Sequence, residues 1–255
     1  MYIRDTLRLS LWIGELLRPS VSVIVPMLDE EKYLKRCMHS ITRQQTSMDF
    51  DVIAAVAQKS TDMTEKIARR YADRVVMTER LGIGPARNSG ARAARGDLFV
   101  FVDADTEIPA NYLDAVHAVM KERGISGLSC AFHFDKGGRM LNAVQELSNK
   151  YLLLKGSYGR GEILGFNNAV RSDVFFKVGG FPDAPLEDGM LARKLHRVGR
   201  VVYLPEPVVV TSARRLESSG TFRAALYYSN LAIAANFPRS PFNTLLRYKR
   251  YVPIR

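Results

Sequence analysis

Apolar residues along this chain follow two rhythms, short unbroken runs and longer stretches in which they recur every third or fourth position. Val21-Ser22-Val23-Ile24-Val25-Pro26, Phe50 to Ala57, Arg74 to Met77 and Leu98-Phe99-Val100-Phe101-Val102 read as strands. The Leu98 to Val102 run predicts a strand covered on both faces, and Val21 to Pro26 also reads as buried. Glu30 to Gln45 sets Tyr33, Leu34, Cys37, Met38 and Ile41 at helical spacing. Ser60-Thr61-Asp62 offers capping oxygens to a helix running to about Tyr71. Gly82-Ile83-Gly84-Pro85 leads into another, from about Ala86 to Ala94. Strand and helix in alternation predict an α/β fold with a mostly parallel sheet between helices. Ligands of such sheets sit at the carboxyl ends of the strands. Pro26, Gln58, the Gly82 turn and Asp103 all fall at such ends, so they are expected to share one crevice.

The second half has a different cadence. Ile108-Pro109 opens a helix to about Arg123, Ser126 to Phe132 reads as a strand, and a long helix covers roughly Met140 to Lys155. A glycine-rich segment, Gly156 to Gly161, follows it. Val178 to Pro182 reads as a turn, Leu186-Glu187-Asp188 starts a helix to about Val198, and Arg200 to Leu204 and Val208 to Ser212 read as two late strands. Thr221 to Asn236 has helical spacing that Phe237-Pro238 ends, and the tail beyond is basic and aromatic. At the other end, Ile3, Leu7, Leu11 and Trp12 lie near one face of an amphipathic helix, while Arg4, Asp5, Arg8 and Glu15 argue against a leader peptide. The expected organisation is an N-terminal amphipathic helix (1–20), one α/β domain (21–215) and a C-terminal helical basic extension (216–255).

Composition narrows the partners. The chain has 255 residues, 47% of them hydrophobic, enough for a core without staples. Lys and Arg number 37 against 26 acids, a net charge of +11. That balance favours phosphate-rich substrates or an acidic membrane surface. Neither zinc-finger spacing nor the aromatic-basic signature of an RNA-binding sheet is present, so nucleic acid is not expected. Cys37 and Cys130 stand far apart and read as reduced and structural, as in a cytoplasm. No apolar run reaches the roughly 18 residues of a spanning helix. The expected location is therefore cytoplasmic, with peripheral contact at the inner face of the cell membrane as an extension. Tyr227, Tyr228, Leu231, Ile233 and Phe237 serve equally as a docking face for an anionic membrane or as core cover.

The chemistry begins at Asp103-Ala104-Asp105, two carboxylates where a buried strand leaves the sheet. Charge there is costly unless compensated. A divalent cation bridging to phosphate would compensate it, since Mg²⁺ and Mn²⁺ favour one or two carboxylates plus phosphate oxygens. A solvated turn, where Asp is common, is the plainer alternative.

Further segments stand in order around this one: Val21 to Pro26 with Asp29-Glu30-Glu31, Ser60-Thr61-Asp62, Gly84-Pro85-Ala86-Arg87-Asn88-Ser89-Gly90, Gly96-Asp97, Val178-Gly179-Gly180-Phe181 and Leu186-Glu187-Asp188. Taken together, from about Val21 to Arg215, the chain resembles an inverting family 2 glycosyltransferase of the GT-A fold. The resemblance implies a nucleotide-sugar-binding half (21–107) and an acceptor-binding half (108–215). It implies a UDP- or GDP-sugar donor, a saccharide or lipid-linked acceptor, and a divalent cation, Mn²⁺ or Mg²⁺. Donor contacts map onto Pro26, Asp29, Glu30, Gln58, Arg87, Asp103 and Ala104, metal contacts onto Asp103 and Asp105, and the catalytic base onto Asp188. For Arg87 the alternative is a helix-surface arginine facing solvent. For Glu187-Asp188 it is a pair of acids facing a helix dipole, with Glu187 a structural neighbour of the base.

Two departures stand out. The family usually has an Asp pair before the Ser-Thr-Asp segment, and here Gln58-Lys59 precedes it. Gln58 still donates and accepts, so it can read a base edge. Many relatives carry a metal-ligating His near Val210 to Ser212. Here Arg214-Arg215 follows instead, two guanidiniums able to grip a diphosphate or to form a basic surface turn. The competing readings are a non-catalytic nucleotide-binding member of the fold and a nucleotidyltransferase. The latter is disfavoured because Met27 to Glu31 contains no glycine.

Overall fold

A computed structural model describes residues 19–214 and residue 216. The N-terminal helix and the C-terminal extension expected from sequence lie outside the described residues, as does Arg215. Among the described residues, eight strands form a single sheet in the order β3-β2-β1-β4-β7-β6-β8-β5. They are β1 (Val21–Met27), β2 (Phe50–Ala57), β3 (Arg74–Thr78), β4 (Leu98–Val102), β5 (Thr106–Glu107), β6 (Ile125–Phe134), β7 (Asn167–Arg171) and β8 (Arg200–Thr211). The helices are α1 (Glu31–Thr42), α2 (Thr64–Tyr71), α3 (Ile83–Ala93), α4 (Tyr112–Met120), α5 (Arg139–Ser157), α6 (Ser172–Lys177) and α7 (Glu187–Leu195). Strands β3, β2, β1 and β4 pair in parallel, β7 runs against both β4 and β6, β6 and β8 pair in parallel, and β5 closes the edge antiparallel to β8.

Alternation along the strands divides the core between the two faces. Val21, Val23 and Val25 pack with Leu34, Cys37, Met38 and Ile41 of α1. Ile24, Ile53, Phe99 and Phe101 face the other way, onto Ala91, Phe175 and Phe181. The Phe99 ring meets Phe101 and Phe175 edge to face, Phe101 meets Phe181 in the same way, and Phe175 lies tilted against Phe101 and Phe181, the edge-to-face arrangement being one their quadrupoles favour. Helix α3 lies flush on the sheet. A Cβ at Gly90 would stand 2.5 Å from Ile24 Cγ2, so only glycine permits that approach. Cys37 and Cys130 are both buried and free, and burial raises both thiols, Cys130 to about 12. Neither is a nucleophile at neutral pH.

The structure corrects several expected elements. Strand β7, absent from the sequence reading, begins with Asn167 and Asn168, both fully buried. The Asn167 amide accepts from Cys130 N at 2.7 Å and donates to Cys130 O at 2.9 Å. It thereby supplies the pairing that the β6–β7 ladder lacks there, and a polar start hides the strand from a hydrophobic pattern. The two late strands are one, β8, which passes through Pro205 and Pro207 with an irregular register between Cys130 and Phe132. Strand β5 and helix α6 are too short to leave a periodic signature. Helix α4 starts at Tyr112 rather than Ile108.

Candidate functional site

The carboxyl ends of β1 and β4 lie side by side, because these strands pair in parallel. The loop after β1 bends at Asp29, whose φ is +53°, and the segment ahead of α2 clasps it. Thr61 N donates to Asp29 Oδ1 at 2.8 Å, Asp29 N to Ser60 Oγ at 3.1 Å, Glu30 N to Thr64 Oγ1 at 2.7 Å and Glu31 N to Asp62 Oδ2 at 3.0 Å. Ser60-Thr61-Asp62 therefore anchors the opening acidic loop, beyond the helix-starting role its composition indicates. A shallow pocket beside it is lined by Asp29, Lys32, Tyr33, Thr61 and Arg214.

Two guanidiniums organise the carboxylates. Arg87, on the first turns of α3, is 1% exposed. Its Nη2 donates to Asp103 Oδ1 at 2.8 Å and its Nη1 to Glu187 Oε1 at 2.7 Å, and the group lies 5.1 Å over the Phe181 ring. The solvent-facing alternative for Arg87 is thus excluded. Burial opposes its charge, but Asp103, Glu187 and Asp188 outweigh burial and hold it protonated. Gly165 closes the other side, where a Cβ would come within 2.7 Å of Nη2.

Arg214, just past β8, donates through Nη2 to Glu30 Oε1 at 2.6 Å, reaches Asp105 Oδ2 at 2.9 Å and stacks over the Tyr33 ring at 4.6 Å. Glu30 is pushed up to about 7, first by burial, against the pull of Arg214 and with the added repulsion of Asp105 and Asp103. Its Oε2 is buried without a hydrogen-bond partner. Two carboxylates thus converge on one cationic side chain.

Asp188 lies in the first turn of α7, which opens at Leu186 with φ +61°. It is half-buried and accepts from Gly165 N at 3.1 Å and from its neighbour Gly189 N at 2.7 Å. Burial first, then the charge of Glu187, pushes its carboxyl up to about 6, with Arg87 pulling the other way. A carboxylate so placed is matched to accept a proton near neutral pH.

The structure therefore brings Glu30, Asp105 and Arg214 into one cluster, and Asp103, Arg87 and the Glu187-Asp188 pair into an adjoining one. Pro26 is buried within β1 and Ala104 is 3% exposed, so neither offers its side chain to solvent. Gln58 is exposed at the end of β2, with its backbone N–H on Thr78 O. Sequence reading missed Tyr33 as the platform under Arg214, Gly165 as a donor to Asp188, and Glu187 as the partner of Arg87. Tyr33 carried only a core-helix signal, and the other two roles depend on contacts between distant segments.

Among the described residues no group of three or more His, Cys, Asp or Glu side chains is placed to hold a metal by itself. Two carboxylates that leave further positions to phosphate oxygens still suit Mg²⁺ or Mn²⁺. The partnerless, buried Glu30 oxygen beside Asp105 is a further acceptor that no group among the described residues satisfies.

Residues 22–179 match the glycosyl transferase family 2 profile. Glycosyltransferase AglE of Haloferax volcanii is 26% identical over 180 residues, covering 67% of this chain and 59% of its own length. The putative glycosyltransferase EpsH of Bacillus subtilis is 35% identical over 101 residues, 38% of this chain and 29% of its own. The chain thus spans less than two thirds of either relative's length. Among solved structures, the mannosyltransferase PcManGT from Pyrobaculum calidifontis, in complex with GDP-Man and Mn²⁺, superposes with a TM-score of 0.69 over 92% of this chain and 66% of its own, at 22% identity. Glucosyl-3-phosphoglycerate synthase from Mycobacterium tuberculosis, in complex with Mn²⁺, UDP and glucosyl-3-phosphoglycerate, gives 0.61 over 87% of this chain and 80% of its own, at 24% identity. These likenesses establish a GT-A fold, and with more than half of its residues matched to the profile, the chain belongs to glycosyl transferase family 2.

Proposed function

We propose that this protein transfers a sugar from a UDP- or GDP-sugar to an acceptor hydroxyl or a lipid phosphate, with inversion and with Asp188 as general base. The observation that carries this reading is the Arg87 bridge. It ties Asp103, on the donor side, to Glu187, next to Asp188, with hydrogen bonds of 2.8 and 2.7 Å. Donor and base are thereby held in one rigid frame.

The pocket along Asp29, Thr61 and Tyr33 takes the nucleoside, with Gln58 at its outer edge. Arg214 grips the diphosphate as a planar cation already held at the mouth. A divalent cation, Mn²⁺ or Mg²⁺, held by Asp103 and Asp105 would neutralise charge on the departing diphosphate. The acceptor hydroxyl approaches between Gly165 and α7. Asp188 takes its proton as the oxygen bonds to the anomeric carbon and the bond from that carbon to the diphosphate oxygen breaks. The attack comes from the face opposite the leaving group, so configuration inverts without a covalent enzyme intermediate. An ionised lipid phosphate would bring its own nucleophilic oxygen and leave Asp188 to orient it. PcManGT holds GDP-Man with Mn²⁺ and the synthase holds UDP with Mn²⁺, which supports this class of donor and cation.

Calorimetric titration with UDP and with GDP, each with and without Mn²⁺, tests the donor site. Metal-dependent binding of one nucleotide is expected, and binding of neither by folded protein would overturn the reading. Asp188→Asn is expected to bind the nucleotide as the wild type does and to lose at least about 10²-fold in transfer rate. Near-normal turnover would remove Asp188 as the base for a hydroxyl acceptor.

A further inference from the structure

Helix α5 carries an apolar line that the domain does not use. Met140, Val144, Leu147, Tyr151, Leu154 and Tyr158 are 60%, 42%, 70%, 55%, 59% and 77% exposed. They follow at alternating steps of four and three residues, so all six fall in a stripe roughly 80° wide along the helix. The core-facing side belongs to other residues, Leu141, Gln145, Leu152 and Gly156, packed toward β6 and β8. Six large apolar side chains in one line make a patch of several hundred Å², of the kind that marks an interaction surface.

The charge around this line is net basic. From Gly137 to Glu162 the chain has four bases, Arg139, Lys150, Lys155 and Arg160, against two acids, Glu146 and Glu162, which pair with Lys150 and Lys155. Lys155 also stands 5.6 Å over the Tyr151 ring. Lipid phosphates would meet Arg139 and Arg160, the two bases of this stretch that no carboxylate among the described residues holds.

We propose that the exposed line of α5 docks this protein on an anionic bilayer surface. The helix lies in the plane of the interface. Leu147 and Leu154 enter the acyl boundary, Tyr151 and Tyr158 sit at headgroup level, and Arg139 and Arg160 pair with lipid phosphates. No helix among the described residues is long and apolar enough to cross a membrane, so this contact is peripheral. The end of α5 runs directly into the segment that carries Gly165 against Asp188. Docking therefore sets the acceptor side of the site beside the bilayer. The docking itself is independent of the proposed reaction, and only delivery of an embedded acceptor rests on it.

Cosedimentation of the full chain with vesicles of phosphatidylcholine, and of phosphatidylcholine with phosphatidylglycerol in equal parts, tests this. Binding to the anionic vesicles is expected, weakened by high salt. The Leu147→Glu/Leu154→Glu variant, altered only at exposed positions, is expected to bind about tenfold more weakly or worse. Arg139→Glu/Arg160→Glu is expected to lose binding mainly at low salt. Nucleotide titration of both variants in solution is expected to match the wild type, which separates a lost surface from a lost site. Absence of wild-type binding, or undiminished binding by the leucine variant, overturns the proposal. A wild-type dimer that ignores vesicles and that the leucine variant disperses overturns it in favour of self-association.

Discussion

Arg87 has almost no route to water, and its charge is stable only because two carboxylates flank it. Removing one partner from such a buried arrangement typically costs about 3–5 kcal/mol. The same cation lowers the Asp188 carboxyl against burial and Glu187, leaving it at about 6. Asp188 must be ionised to accept a proton. Transfer to a hydroxyl acceptor is therefore expected to be flat above that value and to fall about tenfold per pH unit below it. Arg87→Met removes the lowering influence, so the acid limb should move to higher pH, whereas Arg87→Lys keeps a charge and should hold the limb nearer its place. The pH profile of kcat/KM checks both. An unmoved limb in Arg87→Met would mean that Arg87 shapes the site without tuning its base.

At the scale of elements, the position of Arg87 depends on how closely α3 sits on the sheet. Gly90 lies one turn further along that helix and meets Ile24 with no room for a methyl group. Gly90→Ala is expected to push α3 outward and cost about 1–3 kcal/mol, the usual range for overpacking. Thermal unfolding should show this as a fall of several degrees in Tm, accompanied by weaker donor binding as Arg87 moves with its helix. Equal donor affinity in a destabilised variant would show that the Arg87 bridge tolerates the shift.

For the whole molecule, Arg214 joins the first loop of the sheet to the end of its last long strand, through Glu30 and Asp105. These acids repel one another, and Arg214 is what relieves them. Arg214→Ala is expected to have two opposed effects. Mn²⁺ alone should bind more tightly, because the carboxylates lose their competing cation. Nucleoside diphosphate in the presence of Mn²⁺ should bind more weakly, because the diphosphate loses a guanidinium. Calorimetry with the metal alone and then with UDP or GDP separates these effects, and weaker binding in both would make Arg214 a structural tie only.

The parallel half of the sheet, the helices α1, α2 and α3 and the positions of Asp103, Asp105 and Asp188 were legible in the sequence. Each rests on a local pattern, an unbroken apolar run, a helical spacing or a short motif, that neighbouring residues encode by themselves. Strand β7 was not legible, because Asn167 and Asn168 are buried by bonds to Cys130 and Leu164 that no local pattern announces. The two arginine bridges were not legible either. Arg87 meets Glu187 across 100 residues and Arg214 meets Glu30 across 184. Local sequence determined which side chains would stand at the strand ends. The long-range packing alone decided which carboxylates would share a cation, because that pairing is set by distances between segments that meet only when the sheet closes.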